Sequence, residues 1–138
     1  MAEKRVFKIA TDFGGIDVYE AFIRHGIVFV GCEKPEADAD MHRIREGDVL
    51  IISSGFSVIA VGEALTPAAD IHLFKRADDP LWASLDDCEV PILACKADLH
   101  KLERQDNLHY PKRGRVSKVA DQQIVESALT LLDKYRTR

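Results

Sequence analysis

The chain has no long apolar run. Its longest hydrophobic stretches, such as Ile27–Cys32 and Val49–Ile52, are strand-length, so none supplies a membrane-spanning helix. The opening segment MAEKRVFKIA is charged and lacks an apolar h-region, so it is expected not to be a secretory signal. Cysteine is scarce. Cys32, Cys88 and Cys95 make an odd set without a C-x-x-C pair, which points to reduced thiols in a cytoplasmic protein. Metal-ligand spacing is missing too: His42, His72, His100 and His109 form no H-E-x-x-H or comparable pattern, so no metal is expected. Neither G-x-G-x-x-G nor a P-loop is present, and no nucleotide cofactor is expected. Ser53-Ser54-Gly55-Phe56 is not a nucleophile elbow, and no His or acid is paired with it in sequence, so no catalytic residue is assigned. There is no repeat, low-complexity tract or linker.

What is there suits a single domain over residues 1–138. A chain of this size buries roughly two-thirds of the surface that its unfolded form exposes. Hydrophobic residues make up 46% and charged residues 30%, the balance of an ordinary globular protein. The net charge is -4, which by itself does not advertise a polyanion binder.

The charge is unevenly placed. Residues 1–95 hold 9 Lys+Arg and 17 Asp+Glu, whereas residues 96–118 hold 7 and 3, a local balance of +4. The basic residues of that stretch include Lys101, Lys112, Arg113, Arg115 and Lys118, with His100, His109 and Tyr110 among them. A positive stripe on an acidic body can contact phosphates without making the whole surface adhesive. A solvated loop rich in lysine and arginine is the alternative.

Read along the chain, Val6–Ala10 alternates as a first strand and Thr11–Gly15 is a loop. Asp17 is placed to cap a helix over Val18–His25, with Glu20 completing a capping box, and Gly26 ends it. Ile27–Cys32 is an apolar strand, and Glu33–Asp40 an acidic loop. Met41–Arg45 has room for one helical turn before the Gly47-Asp48 turn. Val49–Ile52, the Ser53–Gly55 loop and Phe56–Val61 then form a hairpin apolar on both faces. Ala68–Phe74 is extended, Asp78–Leu85 a short helix around Trp82, and Val90–Ala94 a strand starting near Pro91. A last short strand is expected over Arg113–Val119. Asp121 caps an amphipathic helix with Ile124, Val125, Ala128, Leu131, Leu132 and Tyr135 on one stripe.

Short strands with a helix after the first and another at the end imply an α+β fold: a mixed or antiparallel β-barrel with flanking helices. A doubly wound parallel sheet is disfavoured, because Gly47–Leu65 leaves no room for helical crossovers.

The order of these pieces resembles a known family. A strand, loop and short helix precede Gly26–Gly31 (GIVFVG). Then come an I-x-x-G-D-V turn, a hairpin ending in Ala-Val-Gly-Glu, and a Gly-Arg-Val strand leading into a C-terminal helix. This looks like the EVE-type branch of the PUA-like superfamily, related to YTH domains and to the recognition modules of modification-dependent restriction systems. The resemblance implies a nucleic-acid-binding module that takes a modified base into an aromatic-lined pocket. Where many relatives carry tryptophans, this chain has Tyr19 and Cys32. The pocket is expected between the first loop and helix (Thr11, Asp12, Phe13, Tyr19) and the central hairpin (Ser53, Ser54, Phe56), with Trp82 a further aromatic candidate. Phe13, between Asp12 and Gly14-Gly15, is the leading stacking residue. Lys112, Arg113, Arg115 and Lys118 are expected to hold phosphates. Two competing readings remain: a small hydrolase of nucleoside-like compounds using the same cleft, and a protein-partner module.

Overall fold

The computed structural model describes residues 4–13, 15–31, 39–74 and 92–137. Within them the chain forms β1 (Val6–Ala10), β2 (Asp12–Phe13), β3 (Ile16–Asp17), α1 (Tyr19–His25), β4 (Ile27–Gly31), β5 (Val49–Ser54) and β6 (Ser57–Ala64). There follow β7 (Ala69–Asp70), β8 (Ile92–Lys101), β9 (Leu108–His109), β10 (Val116–Lys118) and α2 (Gln122–Arg136). The helix expected around Trp82, and Cys32 and Cys88, lie outside the described residues.

The architecture is α+β. One curled mixed sheet, ordered β10-β1-β5-β6-β8-β4, forms a half-barrel. The pairing of β1 with β5 is parallel, with Val6 opposite Val49 and Ala10 opposite Ser53. The β5–β6 hairpin is antiparallel, as its two apolar runs predict. Its strand continues through Ser54, so the Ser53–Gly55 loop of the sequence reading shrinks to a Gly55-Phe56 turn between the paired Ser54 and Ser57. Gly55 takes φ +59 there and Phe56 does not share a positive φ, which is the demand of a II′ hairpin.

The sheet is buried on both faces because alternate residues serve two cores. Phe7, Ile9, Leu50 and Ile52 pack with Phe22 of α1 and Phe29 of β4. Val6, Val49, Ile51, Val58 and Val61 pack with Leu131, Leu132 and Tyr135 of α2. Asp121 caps α2 by accepting from the Gln123 and Ile124 amides.

The Gly47-Asp48 turn is held from several sides. Asp48 is buried and accepts from Arg5 Nε at 3.2 Å, from Arg5 Nη2 at 2.7 Å and from the Arg45 amide at 2.8 Å. That bidentate pair ties the start of β1 to the start of β5 and fixes their parallel register.

Some boundaries differ from expectation. α1 begins at Tyr19, and its cap position is Val18, which offers no side-chain bond. Asp17 sits one residue too early and instead accepts from the Tyr19 amide at 2.9 Å. Thr11–Gly15 is not a plain loop, because Asp12–Phe13 pairs with Ile16–Asp17 in a small hairpin. Of the strand expected at Val90–Ala94, Val90 and Pro91 lie outside the described residues; from Ile92 the strand runs on to Lys101, so Lys96 and Lys101 of the basic segment sit on β8. Ala68–Phe74 is a two-residue strand followed by a 3-10 turn over Ile71–Phe74.

Candidate functional site

Because β1 and β5 run parallel, their C-terminal ends meet at one rim of the half-barrel. That rim gathers residues far apart in sequence. The Thr11 amide donates to Ser53 O at 2.9 Å, and the Ala10 amide to Arg115 O at 2.8 Å. The Tyr110 amide donates to Phe56 O at 2.8 Å. The first hairpin, the β5–β6 turn and the segment His109–Arg115 are therefore neighbours.

Thr11 and Ser53 are buried and joined through their backbones, so they form the seam under the rim and not its lining. The Ser53 hydroxyl donates to Gly55 O at 2.7 Å, which commits it to the turn. Asp12 is exposed, and its carboxylate accepts from the Gly15 amide at 2.9 Å. Ser54 is half-buried beside the turn. Phe13 is half-buried, with its ring edge-to-face on Phe29 at 5.4 Å; Phe29 in turn meets Phe22 at 5.0 Å. An unbroken aromatic stack thus runs from the rim into the core. Tyr19 is half-buried at the start of α1, with Lys101 Nζ over its ring at 5.8 Å. Burial, and then the nearby Glu20 carboxylate, push its phenol above its ordinary pKa. Phe56 is 44% exposed at the hairpin tip, with His109 edge-on at 6.4 Å. Trp82 lies outside the described residues.

The basic residues divide into two groups. Lys112 and Arg113 are exposed at this rim, and Arg115 is half-buried there. Lys118 is on β10 opposite Phe7, about 10 Å further along the strand. It lines a cleft of about 230 Å³ at the other end of the sheet, with Lys4, Arg5, Val6, Val119 and Val125. A second cleft, about 390 Å³, runs along α2 between Gln105, Asn107, Gln123, Ser127 and Thr130. Neither cleft includes Thr11–Tyr19 or Ser53–Phe56.

Sequence reasoning did not single out three residues that the structure makes prominent. Lys101 covers Tyr19 and His109 meets Phe56; both fall in the basic segment, but only the folded chain brings them to their partners. The third is Lys8, which is 2% exposed. Its Nζ donates to Lys112 O at 2.9 Å and to Gly114 O. Burial, and then the positive charge of Lys112, lower its pKa. Both of these partners are backbone carbonyls. Cys95 is buried and its thiol is pushed up to about 12, which makes it an inert core residue. No group of three His, Cys, Asp or Glu converges on a metal-sized site among the described residues. No described helix is long and apolar enough to cross a membrane.

Comparisons with known proteins bear on the fold. No family model and no curated protein matches the chain. Two solved structures share its architecture nearly end to end. One is the NMR structure of Rpa0253 from Rhodopseudomonas palustris, at 16% identity and a TM-score of 0.51, covering 92% of this chain and 94% of that one. The other is the crystal structure of Atu2648 from Agrobacterium tumefaciens, at 14% identity and a TM-score of 0.51, covering 91% and 92%. At these identities the likeness is one of fold.

Proposed function

We propose that this protein is a PUA-like, EVE-type nucleic-acid-binding module that accepts a base, modified in the cognate ligand, at the rim between the first hairpin and the β5–β6 turn. One observation carries this reading. The parallel β1–β5 pair brings the aromatic residues Phe13 and Phe56 to the same rim as the exposed cations Lys112 and Arg113. Stacking surfaces beside phosphate-binding charges are what an unpaired base and its backbone require. In this reading Phe13 supplies the stack nearest the core, and the 112–115 loop meets the phosphates. Lys118 contributes little, because it lies at the other end of the sheet. A cytoplasmic setting goes with reduced cysteines.

The test is a titration of fluorescent oligonucleotides, single- and double-stranded, modified and plain, at two salt concentrations. Replacing Lys112 and Arg113 by Gln together should weaken binding to every sequence and reduce the salt slope by about 1–2. Lys118→Gln should leave that slope nearly unchanged. Phe13→Ala should remove about 1–3 kcal/mol of preference for the cognate base without changing the slope. An absence of binding to any oligonucleotide at low salt rejects the reading.

A further inference from the structure

We propose that Lys8 is the positioning residue that latches the Lys112–Arg115 loop from beneath, holding Lys112 and Arg113 outward at the rim. The role of this loop in phosphate contact rests on the proposed function; the latch itself does not.

β10 begins at Val116 and Arg115 keeps the ladder bond from the Ala10 amide, so residues 111–114 have left the sheet ladder. Carbonyls that leave a ladder and point inward need donors from elsewhere. Lys8 reaches them from the middle of β1. The alternation of that strand puts Lys8 on the face of Val6, while Phe7 and Ile9 enter the other core. Its Nζ bonds the carbonyls of both Lys112 and Gly114. Two carbonyls two residues apart, gripped by one amine, fix the turn around Arg113. On the far side, Arg115 O is bonded by the Ala10 amide at 2.8 Å, so β1 pins the loop at Lys112, Gly114 and Arg115.

Placing this lysine in the interior is unfavourable, since it is desolvated and sits near a like charge. An apolar side chain would fill the same space but would leave two inward carbonyls without donors. The arrangement also places a fourth positive charge behind a loop that already carries Lys112, Arg113 and Arg115 and contains no acid. The loop is thereby shaped and charged from one buried residue, with the like-charge repulsion directed toward the side where an anion would bind.

Native-state hydrogen exchange on Lys8→Met tests the latch. The reporters are the Ala10 amide, bonded to Arg115 O, and the Lys112 amide, bonded to Tyr110 O. Both should exchange about tenfold to a hundredfold faster, as expected for loss of bonds from a charged donor. Ile51→Val, a neighbouring core change opposite Lys8 in β5, should leave the ratio of these amides to the rest of the sheet unchanged. In the oligonucleotide assay, Lys8→Met should also flatten the salt slope by about 1–2, as the Lys112 and Arg113 double replacement does, although it removes no exposed charge. A merely structural role would not move that slope. Should Lys8→Met fail to fold, wild-type protein still decides the matter: trans-hydrogen-bond couplings from Lys8 Nζ to the Lys112 and Gly114 carbonyl carbons are expected at pH 6. Unchanged exchange in Lys8→Met, or absence of both couplings, overturns the proposal. If wild-type protein binds no oligonucleotide, the nucleic-acid reading fails while the exchange result still judges the latch.

Discussion

Single residues carry two consequences that can be measured without any ligand. Lys8 has a folded-state pKa below the 10.5 of a free lysine. Below the folded value both states hold the proton, and the cost of burial is felt in full. As pH rises toward about 10.5 the native state releases its proton first, so stability rises with pH across that window. Urea denaturation at a series of alkaline pH values should therefore show wild-type protein gaining on Lys8→Met; a constant difference would contradict the burial. Gly62 makes the second case. A Cβ added there would meet Asp98 O at 2.2 Å, a backbone atom that cannot move aside without opening the β6–β8 pair. Gly62→Ala should cost about 1–3 kcal/mol or more by overpacking, again read from urea denaturation.

At the scale of elements, α2 is joined to the sheet by both apolar and polar contacts. Leu131 and Leu132 are buried against it. The Tyr135 hydroxyl accepts from the Glu103 amide at 2.7 Å and donates to Asp106 at 2.6 Å. Leu131→Ala should cost about 2–5 kcal/mol, the range for a buried leucine. Tyr135→Phe should cost about 1–3 kcal/mol, because it leaves the Glu103 amide without its acceptor. Thermal denaturation compared with wild type checks both. Most elements were legible from sequence because each carries its own local signal. The hairpin showed two apolar runs about a glycine, and α2 showed a capping Asp121 and an apolar stripe. β8 was cut short because its second half alternates: Cys95 and Ala97 are buried while Lys96 and Asp98 are exposed. That period of two was readable, but the charges drew the segment into a basic stripe. Asp17 carries a cap signal but does not cap α1, because the small β2–β3 hairpin takes Asp17 and delays the helix.

At the scale of the whole molecule, the rim depends on a non-local fact. Nothing in Val6–Ala10 or Val49–Ser54 announces that they pair in parallel, some forty residues apart. The α+β class and the mixed, curled sheet were accessible from strand lengths and turn positions. That the first hairpin and the β5–β6 turn lie side by side at one rim is expected only through the resemblance to PUA-like domains. Sequence proximity groups Lys118 with Lys112, Arg113 and Arg115, and strand geometry separates them. Lys8 carried no outward signal, since a lysine in an alternating strand ordinarily faces water. The central claim is that this rim is where nucleic acid sits. The most direct measurement is to map amide chemical-shift changes on isotope-labelled protein titrated with a short oligonucleotide at low salt. The account predicts shifts concentrated at Thr11–Ile16, Ser53–Phe56 and His109–Arg115. Shifts confined to Lys4, Lys118 and Val125 at the opposite cleft, or none at all, would contradict it.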